Sequence, residues 1–169
     1  MKIVYLGDPN PNLTGAHRAG ALVRLGHSVE ILNPGRMYPH FRLLAPLHVR
    51  TGFRLVAPVV NRRLCALLEP KEWDLLWVDS GCELGPAFHR WAKARGKPVV
   101  NYNCDNPFVR RDYRKWDLYK KSLCYHDLTI LPRSKNVEQA KAAGSPRVFL
   151  VSLSYDPVAH HPEQATEAA

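Results

Sequence analysis

The sequence predicts an α/β domain in which a doubly wound, Rossmann-like parallel sheet of about six strands is sandwiched between helical layers. Three observations point there. Short apolar runs alternate along the chain with segments of helical spacing. Several of the runs are apolar throughout, as strands covered on both faces require. Glycines stand where helix C-termini are expected, at Gly26, Gly96 and Gly144.

Taken in order, Lys2–Leu6 is the first strand, followed by a polar Gly-Asp-Pro-Asn-Pro-Asn loop. The spacing of Ala16, Ala19, Leu22 and Val23 predicts a helix over Leu13–Leu25, and Ser28–Leu32 is the second strand. Residues Asn33–His48 are Pro-rich, basic and aperiodic, so a long loop is expected. A helix over Thr51–Leu68 is closed by Pro70, and Asp74–Val78 is a strand. Leu84–Arg95 is a helix, Pro98–Tyr102 a strand, and Phe108–Leu123 mostly helical. Asp127–Leu131 is a strand, Val137–Ala143 a helix and Arg147–Val151 the last strand. Residues 1–152 form one domain, and 153–169 are the start of a linker with a frayed end at Glu163–Ala169. For the strand order, 3-2-1-4-5-6 is the expectation.

The composition, 46% hydrophobic and 23% charged, is that of an ordinary globular chain. No stretch approaches the roughly 18 apolar residues of a membrane span, and the N-terminal run is too short for a signal peptide, so a cytoplasmic protein is expected. The four cysteines lack metal-ligand spacing, so buried thiols are expected and no metal site. The formal net charge is +9. The basic residues fall in scattered pairs without the interleaved aromatics of an RNA-binding sheet, which disfavours nucleic acid. A phosphate-bearing small molecule or an anionic membrane surface fits better, and Tyr38–Val60 could make amphipathic membrane contact.

With that order, ligands would bind where the loops after the first and fourth strands meet, joined by the loop after the third. The candidates are Gly7, Asp8 and Asn10 in the first loop, Asp79 and Ser80 after the third strand, and Asn103, Asp105 and Asn106 after the fourth, with Arg110 beyond. Asn12 and Asp79 read equally well as caps of the helices that follow. For Asp105 and Asn106 a binding role is favoured, because they stand between a strand end and Arg110-Arg111. His17, on the first turn of the first helix, is a surface histidine or a general base, and Asp8 or Asp105 could orient it. Arg18 is helix surface or a ligand contact. G-x-G-x-x-G, a P-loop and a G-x-S-x-G elbow are all absent, so tight dinucleotide or ATP binding and serine-hydrolase chemistry are disfavoured.

These stretches together resemble the N-terminal domain of bacterial GT-B glycosyltransferases, in the branch of CgeB and the family-4 transferases. The resemblance rests on Lys2–Asn10, Ala16-His17-Arg18-Ala19, Leu25–Val29, Leu76–Gly81, Pro98–Phe108, Tyr155-Asp156-Pro157 and His161-Pro162. It implies an acceptor-side domain whose partner domain holds the nucleotide-sugar donor, with transfer in the cleft between them and no bound cofactor or essential metal. It further implies that Asp8, His17, Asp79, Asp105 and Asn106 line the acceptor side, with Asp105 and His17 as the catalytic candidates. On the family pattern the donor-binding part begins beyond Pro162. The expectation is therefore a hexosyltransferase half, acting on an unidentified acceptor and inactive without a donor-binding domain or separate chain. The alternative is a non-catalytic Rossmann-like binding module.

Overall fold

The structure is a computed structural model that describes residues 1–38, 44–153 and 155–160. Its strands are β1 (Lys2–Leu6), β2 (Ser28–Leu32), β3 (Leu75–Asp79), β4 (Val99–Tyr102), β5 (Leu128–Leu131) and β6 (Val148–Leu150). All neighbours are parallel, in a single six-stranded sheet of order β2-β1-β3-β4-β5-β6. This corrects the expected 3-2-1-4-5-6. The segment between β2 and β3 contains no strand among its described residues, so the third strand in sequence pairs directly with the free edge of β1. The switch point accordingly lies between β1 and β3, flanked by the loops that follow those two strands. The loop after β4 lies one strand further on.

The helices are α1 (Thr14–Arg24), α2 (Ala45–Thr51), α3 (Ala57–Leu68), α4 (Pro86–Ala94), α5 (Asp117–Ser122) and α6 (Ser134–Ala142). Three expectations change here. The loop expected over Asn33–His48 contains a 3-10 turn at Pro34–Met37 and the start of α2. The helix expected over Thr51–Leu68 breaks at Gly52 and Phe53, both at positive φ, and resumes as α3. The helix expected over Phe108–Leu123 reduces to 3-10 turns flanking the short α5, because Tyr113 takes a φ of 51°. The expected frayed end, Glu163–Ala169, lies outside the described residues.

Alternation along the strands separates two faces. Val4, Leu6, Leu76, Val78 and Val99 point to one side, where Val60, Leu64 and Leu68 of α3 and Phe88 and Ala92 of α4 close over them. A smaller cluster of Trp116, Tyr119, Leu123, Leu131 and Ala140 extends this layer towards β6. Ile3, Tyr5, Leu75, Trp77, Val100, Tyr102, Leu128 and Ile130 occupy the other side. There α1 packs beside β2, and right-handed crossovers place the remaining helices on the first side.

Candidate functional site

At the switch point the backbone turns sharply. Ser80 adopts a φ of 65° and Gly81 one of 78°, so β3 ends in two consecutive left-handed residues. A left-handed serine costs about 1–2 kcal/mol, and such strain persists where the surroundings fix it. Here the Ser80 amide donates to the Tyr102 carbonyl (2.8 Å), and the buried Asn101 amide donates to the carbonyls of Val78 (3.1 Å) and Ser80 (3.2 Å). A β-carbon on Gly81 would meet Val78 Cγ1 at 2.6 Å, and one on Gly7 would meet the Tyr5 ring at 2.7 Å. Both positions therefore require glycine.

The turn opens a cleft of about 430 Å³. Gly7 and Asp8 line it from β1, and Asp79, Ser80, Gly81, Cys82 and Glu83 from β3. Asn33–Gly35 closes one end, and Lys115 and Trp116 the other. Lys115 Nζ lies 4.4 Å from the Trp116 ring centroid and 3.7 Å from Asp105 Oδ2. Cys82 Sγ donates to Glu83 Oε2 (3.1 Å), and burial pushes its thiol well above the usual range, so it stays protonated. The side chains of Asp8, Asp79, Glu83 and Lys115 give the cleft a charged lining, and the Trp116 indole beneath Lys115 is buried.

Behind the cleft lies a largely buried ion pair. Arg18 Nη2 donates to Asp79 Oδ1 at 2.7 Å, and the guanidinium lies 4.1 Å from the Tyr102 ring centroid. Tyr5 lies beneath, its hydroxyl facing both charges without a hydrogen bond of good geometry. Burial pushes the Asp79 carboxyl up and outweighs the pull of Arg18, while Asp79 keeps Arg18 charged against the cost of burial. Gly15 makes this arrangement possible, since a β-carbon there would collide with the Asp79 carboxylate. α1 has no acidic residue in its first turn and no side-chain cap, so Asp79 supplies the negative charge that its N-terminus favours.

Of the expected residues, Gly7, Asp8, Asp79 and Ser80 meet at the cleft, and Asp105 reaches it through Lys115. Several of the Asp and Asn side chains hold their own loops as Asx turns. Asp8 Oδ1 accepts from Asn10 N and Asn10 Oδ1 from Asn12 N, both at 3.0 Å. Asn103 Oδ1 accepts from Asp105 N (3.0 Å), and Asn106 Oδ1 from Phe108 N (3.2 Å) and Asn136 Nδ2 (2.9 Å). Arg110 is exposed on a 3-10 turn. Neither Asn12 nor Asp79 caps a helix through its side chain.

His17 lies elsewhere. Its Nε2 donates to the Pro11 carbonyl (2.7 Å), which takes the orienting role expected of Asp8 or Asp105, and its Nδ1 is buried without a partner. The ring meets His160 edge-on at 4.9 Å, in a cavity of about 110 Å³ between α1 and residues 155–160. Asp156 fastens that segment to Arg24 at 2.7 Å, and Arg18 spans from this cavity to the Asp79 pair. Sequence reasoning undervalued Arg18 and missed Tyr5, Glu83, Lys115 and Trp116. The available signal was Gly15, a small residue facing a strand that ends in an acid.

Among the described residues no group of three or more His, Cys, Asp or Glu side chains is gathered as a metal site, and no helix is long and apolar enough to cross a membrane.

No known family and no curated protein matches the chain. Solved structures do, and they are GT-B glycosyltransferases. UGT73P12 of Glycyrrhiza uralensis, solved with glycyrrhetinic acid 3-O-monoglucuronide, matches 90% of this chain and 48% of its own at 10% identity, with a TM-score of 0.56. The glycosyltransferase of kitacinnamycin matches 99% of this chain and 53% of its own at 12% identity and a TM-score of 0.54. Apo UGT2 of Phytolacca americana gives 90%, 51%, 14% and 0.51 for the same measures. The chain thus spans about half the length of the structures it matches. At these identities the likeness is one of fold.

Proposed function

We propose that this chain is the acceptor-side half of a glycosyltransferase, which transfers a sugar from a nucleotide-sugar donor to a hydroxyl-bearing acceptor once a donor-binding unit faces it. The observation that carries this reading is the cleft at the β1–β3 switch point, lined by Asp8, Asp79, Glu83, Lys115 and Trp116 on a sheet of the GT-B type. Carboxylates accept from sugar or alcohol hydroxyls, and the Lys115 ammonium donates to their oxygens.

In this reading Asp105 takes the proton of the acceptor hydroxyl, and Lys115, 3.7 Å away, ties its carboxylate to the cleft. His17 is the second proposed base. Its Nε2–H is fixed on Pro11 and its Nδ1 is buried, so in this role the acceptor has to enter the cavity between α1 and residues 155–160. Gly7, Asn10, Ser80, Asn103, Asn106 and Arg110 complete the proposed acceptor side, the Asx residues by holding loop shape. The donor phosphates would be bound by the partner unit, with the sugar nucleotide a co-substrate and no resident cofactor.

The test is turnover in an enzyme that carries both halves. Asp105→Asn should lower kcat about 10²-fold at unchanged Tm, the range of a lost general base, and His17→Ala is the parallel variant. Turnover within a few-fold of the parent in both would remove them as bases. Sugar transfer by this chain alone would overturn the half-enzyme reading.

A further inference from the structure

A surface beside the cleft joins two segments far apart in sequence. Gly52, just after α2, packs so closely on the Arg114 backbone that a β-carbon would collide with the carbonyl. The Tyr113 side chain shares a shallow groove with Ala45, Pro46, Val49 and Arg50 of α2. Arg54 Nη2 reaches across to Asp117 at 3.1 Å. Residues 44–55 and 109–117 therefore form one continuous patch.

Its chemistry is mixed in a particular way. Leu47 is 44% exposed, Leu55 61% and Tyr113 70%. Around them stand Arg50, Arg54, Arg110, Arg111 and Arg114, all exposed. Cations outnumber acids here: Asp117 alone sits against Arg54, Arg114 and Lys120, while Asp112 accepts from Arg111. Tyr113 holds a φ of 51° and a ψ of −119°, a conformation that side chains rarely adopt, yet its ring is left in solvent.

We infer that this patch docks the protein on an anionic membrane surface, arginines against lipid phosphates and Leu47, Leu55 and Tyr113 in the headgroup layer. Charge complementarity selects the occupant. A chain of net charge +9 does not present such a patch to a second copy of itself. A single-stranded nucleic acid needs successive stacking platforms, and this patch offers only Tyr113 between two leucines. An anionic bilayer satisfies both components, since tyrosine is at home at the interface and guanidinium forks pair with phosphate. Lys115 and Trp116 follow Arg114 directly and line the cleft, so docking holds the cleft mouth close to the lipid surface. This inference stands apart from the enzymatic reading.

The test is co-sedimentation of the chain with vesicles of phosphatidylcholine alone and of about three parts phosphatidylcholine to one part phosphatidylglycerol. The chain should pellet with the anionic vesicles only, and the double variant Arg111→Glu/Arg114→Glu should weaken that binding by roughly tenfold or more. Tyr113→Gly keeps the charge, accepts the positive φ and should still weaken binding several-fold. The double variant Lys135→Glu/Lys141→Glu, on α6 beside β5 and β6, serves as a charge-matched control, and circular dichroism confirms that each variant is folded. Equal pelleting with both vesicle types, or parental binding by the patch variants, overturns the inference. So does a loss as large in Lys135→Glu/Lys141→Glu, which would mean attraction by net charge alone. Binding to a single-stranded oligonucleotide without vesicle binding would assign the patch to another polyanion.

Discussion

The two faces of the sheet are built from different materials. Beneath α3 and α4 the strands present Val4, Leu6, Leu76, Val78 and Val99 to a layer of Leu64, Leu68 and Phe88, the last three fully buried. On the opposite face the same strands present Tyr5, Trp77, Asp79 and Tyr102, with the Arg18 guanidinium laid across them. Leu75, Trp77, Leu128 and Ile130 there stay partly open to solvent. Dense aliphatic packing rewards burial and tolerates no gap. Aromatic rings and a buried ion pair carry less of the stability but hold charge at a fixed place. In this molecule the aliphatic face anchors the fold, and the aromatic face builds the cleft.

The sharpest way to break that comparison is truncation on each side. Phe88→Ala, at a fully buried site, should cost about 4 kcal/mol in denaturant unfolding, whereas Ile130→Ala should cost about 1–2 kcal/mol because its site is partly open. Equal losses would mean that both faces support the fold alike.

Acid attacks the anchoring side next. His89, on the buried face of α4, is fully desolvated and held at a pKa of about 4, and burial beside it holds His126 well below its usual value. Both bind protons more readily when the chain is unfolded, near pH 6.5. Stability should therefore be level above about pH 7 and fall as pH drops from about 6.5 towards 4, by about 3 kcal/mol from His89 alone. A flat profile in urea titrations across that range would show that these imidazoles find compensation in the fold.

The smallest of the three effects lies on the cleft side. Asp79→Asn leaves the Arg18 guanidinium half-buried without its anion and should cost about 2 kcal/mol. That is below the range for a fully buried pair, because Arg18 is 22% exposed. Adding Arg18→Met should recover most of the loss. A double variant as unstable as the single one would mean that Arg18 acts through Tyr102 instead.

Strand identity was legible in the sequence because it is local. β1 and β2 fall at the expected Lys2–Leu6 and Ser28–Leu32, each an apolar run between turn residues. Their order was not legible, since β3 pairs with β1 through main-chain bonds that any apolar run could make. The break in the 51–68 helix was missed because the backbone reversal at Gly52 is set by Arg114, 62 residues away. The rim follows the same division. Gly7, Asp8, Asp79 and Ser80 were visible as polar residues after strands. Arg18 looked like helix surface, because its burial depends on Gly15 admitting α1 onto the Asp79 carboxylate.

The left-handed pair Ser80-Gly81 has an evolutionary consequence. Position 81 admits glycine alone, and position 80 admits little beyond serine, asparagine, aspartate and glycine, so the bend itself is a narrow gate in sequence space. Asp8, Glu83 and Lys115 line the same cleft from backbone that makes no such demand. Descendants of this chain can therefore alter the chemistry of the cleft by changing those three side chains, while the bend that shapes it is inherited unchanged.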